Sequence, residues 1–137
     1  IFLKDDVNNC SPVAWSSRRI RRVVRSTLGA ETLSTVEALD SAYLLSRLLS
    51  EMLGTTNPTD VDMYTDNKSM YDAINTTNVM LDRRLRVDIS SLREMSDNGE
   101  VKFHWIQSER QLADVLTKKG ASKAKLISTI DKCKIIE

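Results

Sequence analysis

The longest regular pattern of apolar and polar positions covers residues 26–53, which contain no proline. At about 100° per residue, the apolar side chains fall on one broad arc. That arc holds Ala30, Ala38, Ala42, Leu45, Leu48, Leu49, Met52 and Leu53. The opposite side holds Asp40, Arg47, Ser50 and Glu51. Ser26 or Thr27 suits the N-cap and Gly54 the C-cap, so the pattern predicts one long amphipathic helix.

One charged residue breaks the arc of this helix. Glu31 is in register with Ala38, Ala42 and Leu49. A carboxylate aimed at a core costs several kcal/mol unless it is paired or binds a metal. Two interpretations stay open at this point: Glu31 reaches solvent near the helix start and interacts with the helix dipole, or it belongs to a functional site.

Shorter patterns predict the remaining elements. Residues 1–3 and 13–15 read as a hairpin around the turn-forming stretch 5–12, with the second strand continuing to the long helix. The chain then predicts a strand at 61–65, helices at 67–75 and 83–95, a strand at 101–106, and helices at 107–120 and 121–136. This order predicts an α/β fold, in which a mixed sheet begins with an antiparallel hairpin and is flanked by helices.

Three further polar residues are candidates for chemistry, and each also has a purely structural interpretation. Asp66 follows a strand, where it serves either as a helix N-cap or as a site carboxylate at the carboxyl edge of the sheet. Asp114 lies off the apolar stripe of its helix, which by itself indicates a solvated face. His104 lies on a strand, and we expect it to be structural or exposed rather than a base.

Composition indicates an ordinary globular domain. The chain has 137 residues, 41% hydrophobic and 28% charged, with a formal net charge of +1. This length supports one domain with a real core, and no apolar run approaches a membrane span. Cys10 and Cys133 are far apart in sequence and form no CxxC motif, so we expect reduced thiols in an intracellular protein.

The positive charge is concentrated in arginine runs. One run contains Arg18, Arg19, Arg21, Arg22 and Arg25, and another contains Arg83, Arg84 and Arg86. By composition alone, the first run is a solvated face or a surface that follows a phosphate backbone.

The carboxylates Glu31, Asp66 and Asp114 all lie where they could converge on one sheet edge. Convergent carboxylates repel one another unless a divalent cation joins them, and oxygen-only ligands select Mg²⁺ or Mn²⁺. Two such ions can clamp an in-line attack of water on a phosphodiester.

Three segments resemble a known family: VAWSSRRIRRVVRSTLGAETLS, YTDNKS and QLADVLTKKG. In this order and spacing they resemble the ribonuclease H domain of copia-type retrotransposon Pol polyproteins, over residues 1–120. The resemblance implies an RNase H-like fold and metal-dependent cleavage of the RNA strand of RNA–DNA hybrids. It implies that Glu31, Asp66 and Asp114 are three of the four metal-binding carboxylates, with two Mg²⁺ or Mn²⁺ ions.

The resemblance also implies partners and a location. They are an RNA–DNA hybrid, gripped by Arg18, Arg19, Arg21, Arg22 and Arg25, and an upstream reverse transcriptase domain in the same polyprotein. We expect no membrane partner. The implied location is intracellular, in the cytoplasm or in virus-like particles.

The chain departs from the family at its start, because the family's first strand carries the first catalytic Asp. Asp5 and Asp6 fall in the hairpin turn and are poor substitutes. We expect an N-terminally truncated RNase H-like domain at 1–120 and a helical tail at 121–137. Two functions follow: a hybrid-cleaving endonuclease, or an inactive remnant that binds nucleic acid or acts as a scaffold. An integrase core is disfavoured. In integrases the catalytic Glu follows both Asp residues, whereas Glu31 precedes Asp66 and Asp114 in this chain.

Overall fold

The computed structural model describes residues 1–77 and 82–134 of the chain. These residues form two compact units: unit 1 comprises residues 1–19 and 107–134, and unit 2 comprises residues 20–77 and 82–106. The fold is mixed α/β, as the sequence predicts. Within the described part, the strands form two separate two-stranded sheets rather than one mixed sheet.

Unit 1 begins with a short antiparallel hairpin. Strand β1 (Phe2–Lys4) pairs with β2 (Cys10–Pro12), with Lys4 opposite Cys10. Asp5 organises the turn, because its carboxylate accepts the backbone N–H groups of Val7 and Asn9 at 3.0 and 2.7 Å. A hairpin is confirmed, but β2 lies wholly within the predicted turn, and the second strand predicted at 13–15 is wrong. The predicted continuation of this strand to the long helix is wrong, since residues 13–25 contain no strand.

The second segment of unit 1 contains two short 3₁₀ turns, Ser108–Arg110 and Leu112–Leu116, followed by the last helix of the unit. The helix predicted at 107–120 is therefore wrong. Its backbone bonds include Asp114 N–H to Gln111 O and Thr117 N–H to Asp114 O, both of the tighter three-residue type. The stretch has few apolar residues, so it lacks the packed apolar face that stabilises an α-helix in a protein.

The last helix of unit 1, α4, spans Ala124–Lys132 and packs against β2. It begins later than the predicted helix, whose last two residues lie outside the described part of the chain. Thr129 is the buried residue of α4. Cys133 ends the helix in the left-handed conformation, with φ 51°. The carboxyl end of helix α4 therefore lies against the hairpin.

Unit 2 is built around helix α1 (Thr27–Leu53), as the sequence predicts. Ser26 is the N-cap, and its hydroxyl accepts the Gly29 N–H at 3.1 Å. Gly54 ends the helix with φ 67°, a conformation that glycine adopts without a Cβ penalty.

Two strands and two helices complete unit 2. They are β3 (Val61–Thr65), α2 (Lys68–Asn75), α3 (Arg86–Asp97) and β4 (Val101–Trp105). Strands β3 and β4 are parallel, with Val61 opposite Val101 and Thr65 opposite Trp105. His104 has a structural role, as its position on a strand indicates. Its Nε2 lies 2.7 Å from Asp62 Oδ1, and its ring stacks on Tyr64.

The core of unit 2 lies between α1, α2, α3 and the parallel pair. Its buried members are Leu39, Met70, Ile74, Leu85, Ile89, Leu92 and Val101. No helix in the described part of the chain is long and apolar enough to cross a membrane.

The face of α1 that packs on this core differs from the predicted one. The buried residues are Gly29, Thr32, Thr35, Leu39, Ser46 and Ser50. Ser50 was expected on the polar side, yet its hydroxyl bonds the Asn57 carbonyl at 3.0 Å. Leu48 and Met52 of the predicted arc are exposed. Small hydroxyl residues allow the close approach of the neighbouring backbone, and their hydrogen bonds remove the cost of burying them.

Candidate functional site

Glu31 lies in the second turn of α1, and its side chain is half-buried. The core-facing row of the helix runs through Thr32, Thr35 and Leu39, which lie about 40–100° around the axis from Glu31. The arc that contains Glu31 therefore borders the buried face of α1 and does not form its centre. Glu31 lies on the flank of the helix, where a carboxylate can meet both protein and solvent.

Asp66 directly follows β3 and is half-buried. It is not the N-cap of α2, because Asn67 holds that position: Asn67 Oδ1 accepts the Met70 N–H at 3.0 Å. The indole N–H of Trp105, at the end of β4, donates to the Asp66 carbonyl oxygen at 3.3 Å. Lys68 Nζ lies 5.4 Å from the centroid of the Trp105 ring. Asp66 is thus held where the two parallel strands end.

Asp114 lies in the second 3₁₀ turn of unit 1 and is also half-buried. Its Oδ2 is 2.6 Å from Lys118 Nζ, four residues later. The carboxylate lines a cavity of about 370 Å³, together with Glu109, Gln111 and Lys125. Lys125 Nζ donates to the Glu109 carbonyl oxygen at 2.8 Å across this cavity.

The three carboxylates are divided between the units. Glu31 and Asp66 belong to unit 2, and Asp114 belongs to unit 1. Over residues 1–77 and 82–134, no group of three or more His, Cys, Asp or Glu side chains is arranged to hold a metal ion. The chemistry of the three donors nevertheless fits Mg²⁺ or Mn²⁺, because carboxylate oxygens that retain contact with solvent are the ligands these ions prefer.

The arginines of the first run differ in their surroundings. All five are exposed. Arg18 and Arg19 belong to unit 1, where Arg18 Nε donates to Ser16 Oγ at 2.8 Å. Arg22 and Arg25 belong to unit 2 and line a cavity of about 300 Å³ at the start of α1.

A third arginine, Arg84, lines the same cavity, together with Ser26, Gly29, Asp82 and Asp88. Three guanidinium groups face two carboxylates, so the charge of the lining is net positive. Arg22 lies 3.7 Å from Asp88 and offsets one of the carboxylates. The positive end of the α1 dipole adds to this field. The cavity is suited to an anionic group such as a phosphate.

Sequence reasoning assigned no role to Arg84. The signal that could have found it is the second arginine run, residues 83–86, which lies far from the first run in the chain. Only the packing of α3 beside the start of α1 brings the two runs to one cavity. Trp105 was likewise predicted only as a strand residue, although it hydrogen-bonds Asp66.

Comparison with known proteins finds a distant relative. The chain is similar to the retrovirus-related Pol polyprotein from transposon RE1 of Arabidopsis thaliana, with 28% identity over 109 residues. The similarity covers 78% of this chain and 7% of that protein. It supports a region derived from a retrotransposon Pol polyprotein. No protein-family profile matches the chain, and no solved structure matches it.

Proposed function

We propose that this chain is an RNase H-like domain that hydrolyses the RNA strand of RNA–DNA hybrids during retrotransposon reverse transcription. The proposal includes an upstream reverse transcriptase domain as its partner within the polyprotein. The three sequence motifs and the similarity to a transposon Pol polyprotein support it. The similarity covers only a small part of the relative's length, so the activity of the whole polyprotein does not transfer to this chain.

The observation that carries the proposal is the arginine-lined cavity at the start of α1. Arg22, Arg25 and Arg84 offer donors to the phosphate backbone, which every nucleic acid presents regardless of sequence. Glu31 follows within the next turn of the same helix. A backbone held at the cavity therefore lies within a short distance of a candidate ligand carboxylate, which suits cleavage that reads backbone shape rather than bases.

Glu31, Asp66 and Asp114 are the residues that would hold Mg²⁺ or Mn²⁺, most simply two ions. When bound, such ions lower the pKa of the attacking water and offset the charge that develops on the phosphodiester. The chain supplies the positioning. Trp105 holds the backbone of Asp66 through its indole N–H, and Lys118 orients the Asp114 carboxylate through their ion pair.

A second candidate function is nucleic-acid binding without turnover. One observation favours it: the arginine-lined cavity belongs wholly to unit 2 and does not include any of the three carboxylates. An inactive remnant could therefore keep its grip on a phosphate backbone after losing catalysis.

The test is cleavage of a labelled RNA–DNA hybrid by the chain with Mg²⁺ or Mn²⁺, beside a measurement of hybrid binding. We expect cutting that EDTA stops. Asp66→Asn should reduce cleavage by at least about 100-fold, because one charged ligand is lost where charge develops. Its hybrid affinity should stay within about twofold of the parent, since Asp66 is not part of the arginine cavity.

The matched control is Asp40→Asn, which removes the same charge from an exposed position of α1. It should leave cleavage and binding unchanged. Equal loss of both activities in Asp66→Asn would contradict the assigned ligand position. Tight binding without any cutting by the parent chain would favour the second function.

A further inference from the structure

The two cysteines of the chain, which are far apart in sequence, meet in unit 1. The Cys10 N–H donates to the Cys133 carbonyl oxygen at 2.6 Å. The neighbouring residues Asn9 and Lys134 form an antiparallel bridge. In antiparallel pairing, a step forward on one strand matches a step back on the other, so Cys10 lies directly opposite Cys133. Burial raises the pKa of the Cys10 thiol, and the two thiols are near enough that Cys133 acts electrostatically on it and contributes to this rise.

This opposition meets the geometric requirement of a disulfide. Opposed residues of an antiparallel pair have Cα atoms about 4.5–5.5 Å apart, and disulfides join Cα atoms about 4.4–6.8 Å apart. Both thiols are free in the structure. We propose that Cys10 and Cys133 are a disulfide-forming pair, which on oxidation joins strand β2 to the carboxyl end of α4.

The two thiols differ in access, and this sets the order of the reaction. Cys133 is exposed, whereas Cys10 is 2% exposed. Burial, with a smaller effect of the neighbouring Cys133, raises the pKa of the Cys10 thiol above its ordinary value. An external oxidant therefore meets Cys133 first, and Cys10 reacts second from within the protein.

A low-molecular-weight disulfide such as oxidised glutathione supplies the oxidising equivalents. The Cys133 thiolate attacks one glutathione sulfur, which forms a mixed disulfide and releases one glutathione thiolate. The Cys10 thiol gives its proton to solvent, and its sulfur attacks the Cys133 sulfur. The Cys10–Cys133 bond forms and the second glutathione thiolate leaves. Two cysteine thiols are oxidised, and one glutathione disulfide is reduced to two thiols.

The site has a structural consequence that does not depend on the proposed nuclease activity. Nearly the whole chain lies between the two cysteines, so the bond restricts the unfolded chain strongly. In the folded state it fixes the end of α4, where Cys133 already adopts the left-handed conformation. Oxidation should therefore raise the melting temperature of the chain, and dithiothreitol should reverse the rise.

The experiment treats the full chain with oxidised glutathione and quenches samples by alkylation for mass spectrometry and non-reducing peptide mapping. We expect a monomer that has lost two hydrogen atoms, with Cys10 and Cys133 in one cross-linked peptide pair. Cys10→Ala should stop at the Cys133 mixed disulfide. Cys133→Ser should leave Cys10 unmodified over the same time, because that thiol is buried. Circular dichroism establishes that each variant is folded.

A second measurement keeps the test independent of the variants. In the parent chain, closure from the mixed disulfide should accelerate by about tenfold per pH unit while the pH is below the raised pKa of Cys10, since its thiolate is the nucleophile. Accumulation of glutathione on Cys133 without closure, at any pH, would overturn the proposal. So would disulfide-linked dimers through Cys133 as the main product.

Discussion

At the scale of single residues, the contact between Trp105 and Asp66 joins the ends of the two parallel strands. The indole N–H donates to the Asp66 carbonyl oxygen, and Lys68 lies over the indole ring. Trp105 therefore acts on the candidate site by positioning Asp66. It is 42% exposed, so its packing contributes less to stability than a buried tryptophan would.

Trp105→Phe should slow hybrid cleavage by about fivefold, because it removes one hydrogen bond of about 1 kcal/mol and keeps an aromatic ring for Lys68. The measurement is kcat for hybrid cleavage, with KM expected to stay unchanged. Trp15→Phe, at a tryptophan that is 77% exposed in unit 1, is the control. A loss of folded protein in Trp105→Phe, in place of a slower rate, would contradict a positioning contact.

A second residue pair, Tyr43 and Glu100, makes the stability of unit 2 depend on pH. The Tyr43 hydroxyl donates to Glu100 Oε2 at 2.7 Å. Burial, and then this hydrogen bond, raises the pKa of Tyr43 to about 12. The same bond, with one from Asn98, lowers the pKa of Glu100. A lowered carboxyl pKa gives stability that is present above the unfolded-state pKa and is lost as the pH falls through the folded-state pKa.

Tyr43→Phe should therefore flatten the acid side of the stability curve. The melting temperature of the parent should fall as the pH drops below about 4, and that of the variant should fall less over the same range. Tyr71→Phe, at a half-buried tyrosine outside this pair, is the control and should follow the parent. Identical acid curves for the parent and Tyr43→Phe would show that the bond contributes nothing to folding.

At the scale of elements, the row of α1 that packs on the core is not the apolar arc that the sequence predicts. Leu39 lies in the buried row and is 1% exposed, whereas Leu44 is 62% exposed. The buried row otherwise consists largely of hydroxyl residues whose hydrogen bonds are made within unit 2. Thr35 bonds Met70, and Ser46 bonds the Thr59 carbonyl oxygen at 2.7 Å. These bonds connect α1 to α2 and to the segment before β3.

Leu39→Ala should lower the free energy of unfolding by about 2–5 kcal/mol, because a cavity is left beside Met70 and Ile89. Leu44→Ala removes the same atoms from an exposed position of the same helix and should change it by no more than about 0.5 kcal/mol. Urea unfolding followed by circular dichroism measures both. Equal losses in the two variants would mean that the packed face of α1 is misassigned.

At the scale of the whole molecule, the positions of the charged residues matter more for binding a phosphate backbone than the net charge does. The formal net charge is only +1, yet Arg22, Arg25 and Arg84 share one cavity. Binding to a phosphate backbone should therefore depend steeply on salt, because each neutralised phosphate releases counterions.

Arg84→Ala should weaken hybrid binding and reduce the slope of log K against log salt by about 1, as expected for one lost phosphate contact. The loss should be similar for hybrids of different sequence. Arg47→Ala, at an exposed arginine near the carboxyl end of α1 and remote from the cavity at its start, should leave the slope unchanged. Fluorescence anisotropy over a salt series measures the slope. An unchanged slope for Arg84→Ala would remove the cavity from the binding surface.

Local signals in the sequence were sufficient for several elements. The bounds of α1 and β3 follow from cap residues, turn residues and apolar runs that act over a few positions. The helix expected at 107–120 fails for the opposite reason. Its apolar stripe is weak, so the local backbone settles in two 3₁₀ turns. Asp66 illustrates an intermediate case, because two adjacent residues, Asp66 and Asn67, were both able to cap α2.

The sequence by itself determined the α/β class, the long helix and the identity of the candidate carboxylates and arginines, because these depend on residue type and short-range spacing. Only the tertiary structure decided which row of α1 is buried, which arginines share a cavity and that Cys10 lies opposite Cys133. The physical reason is that side-chain periodicity defines faces but not their neighbours. Contacts between residues distant in the chain arise from packing, which no local pattern encodes.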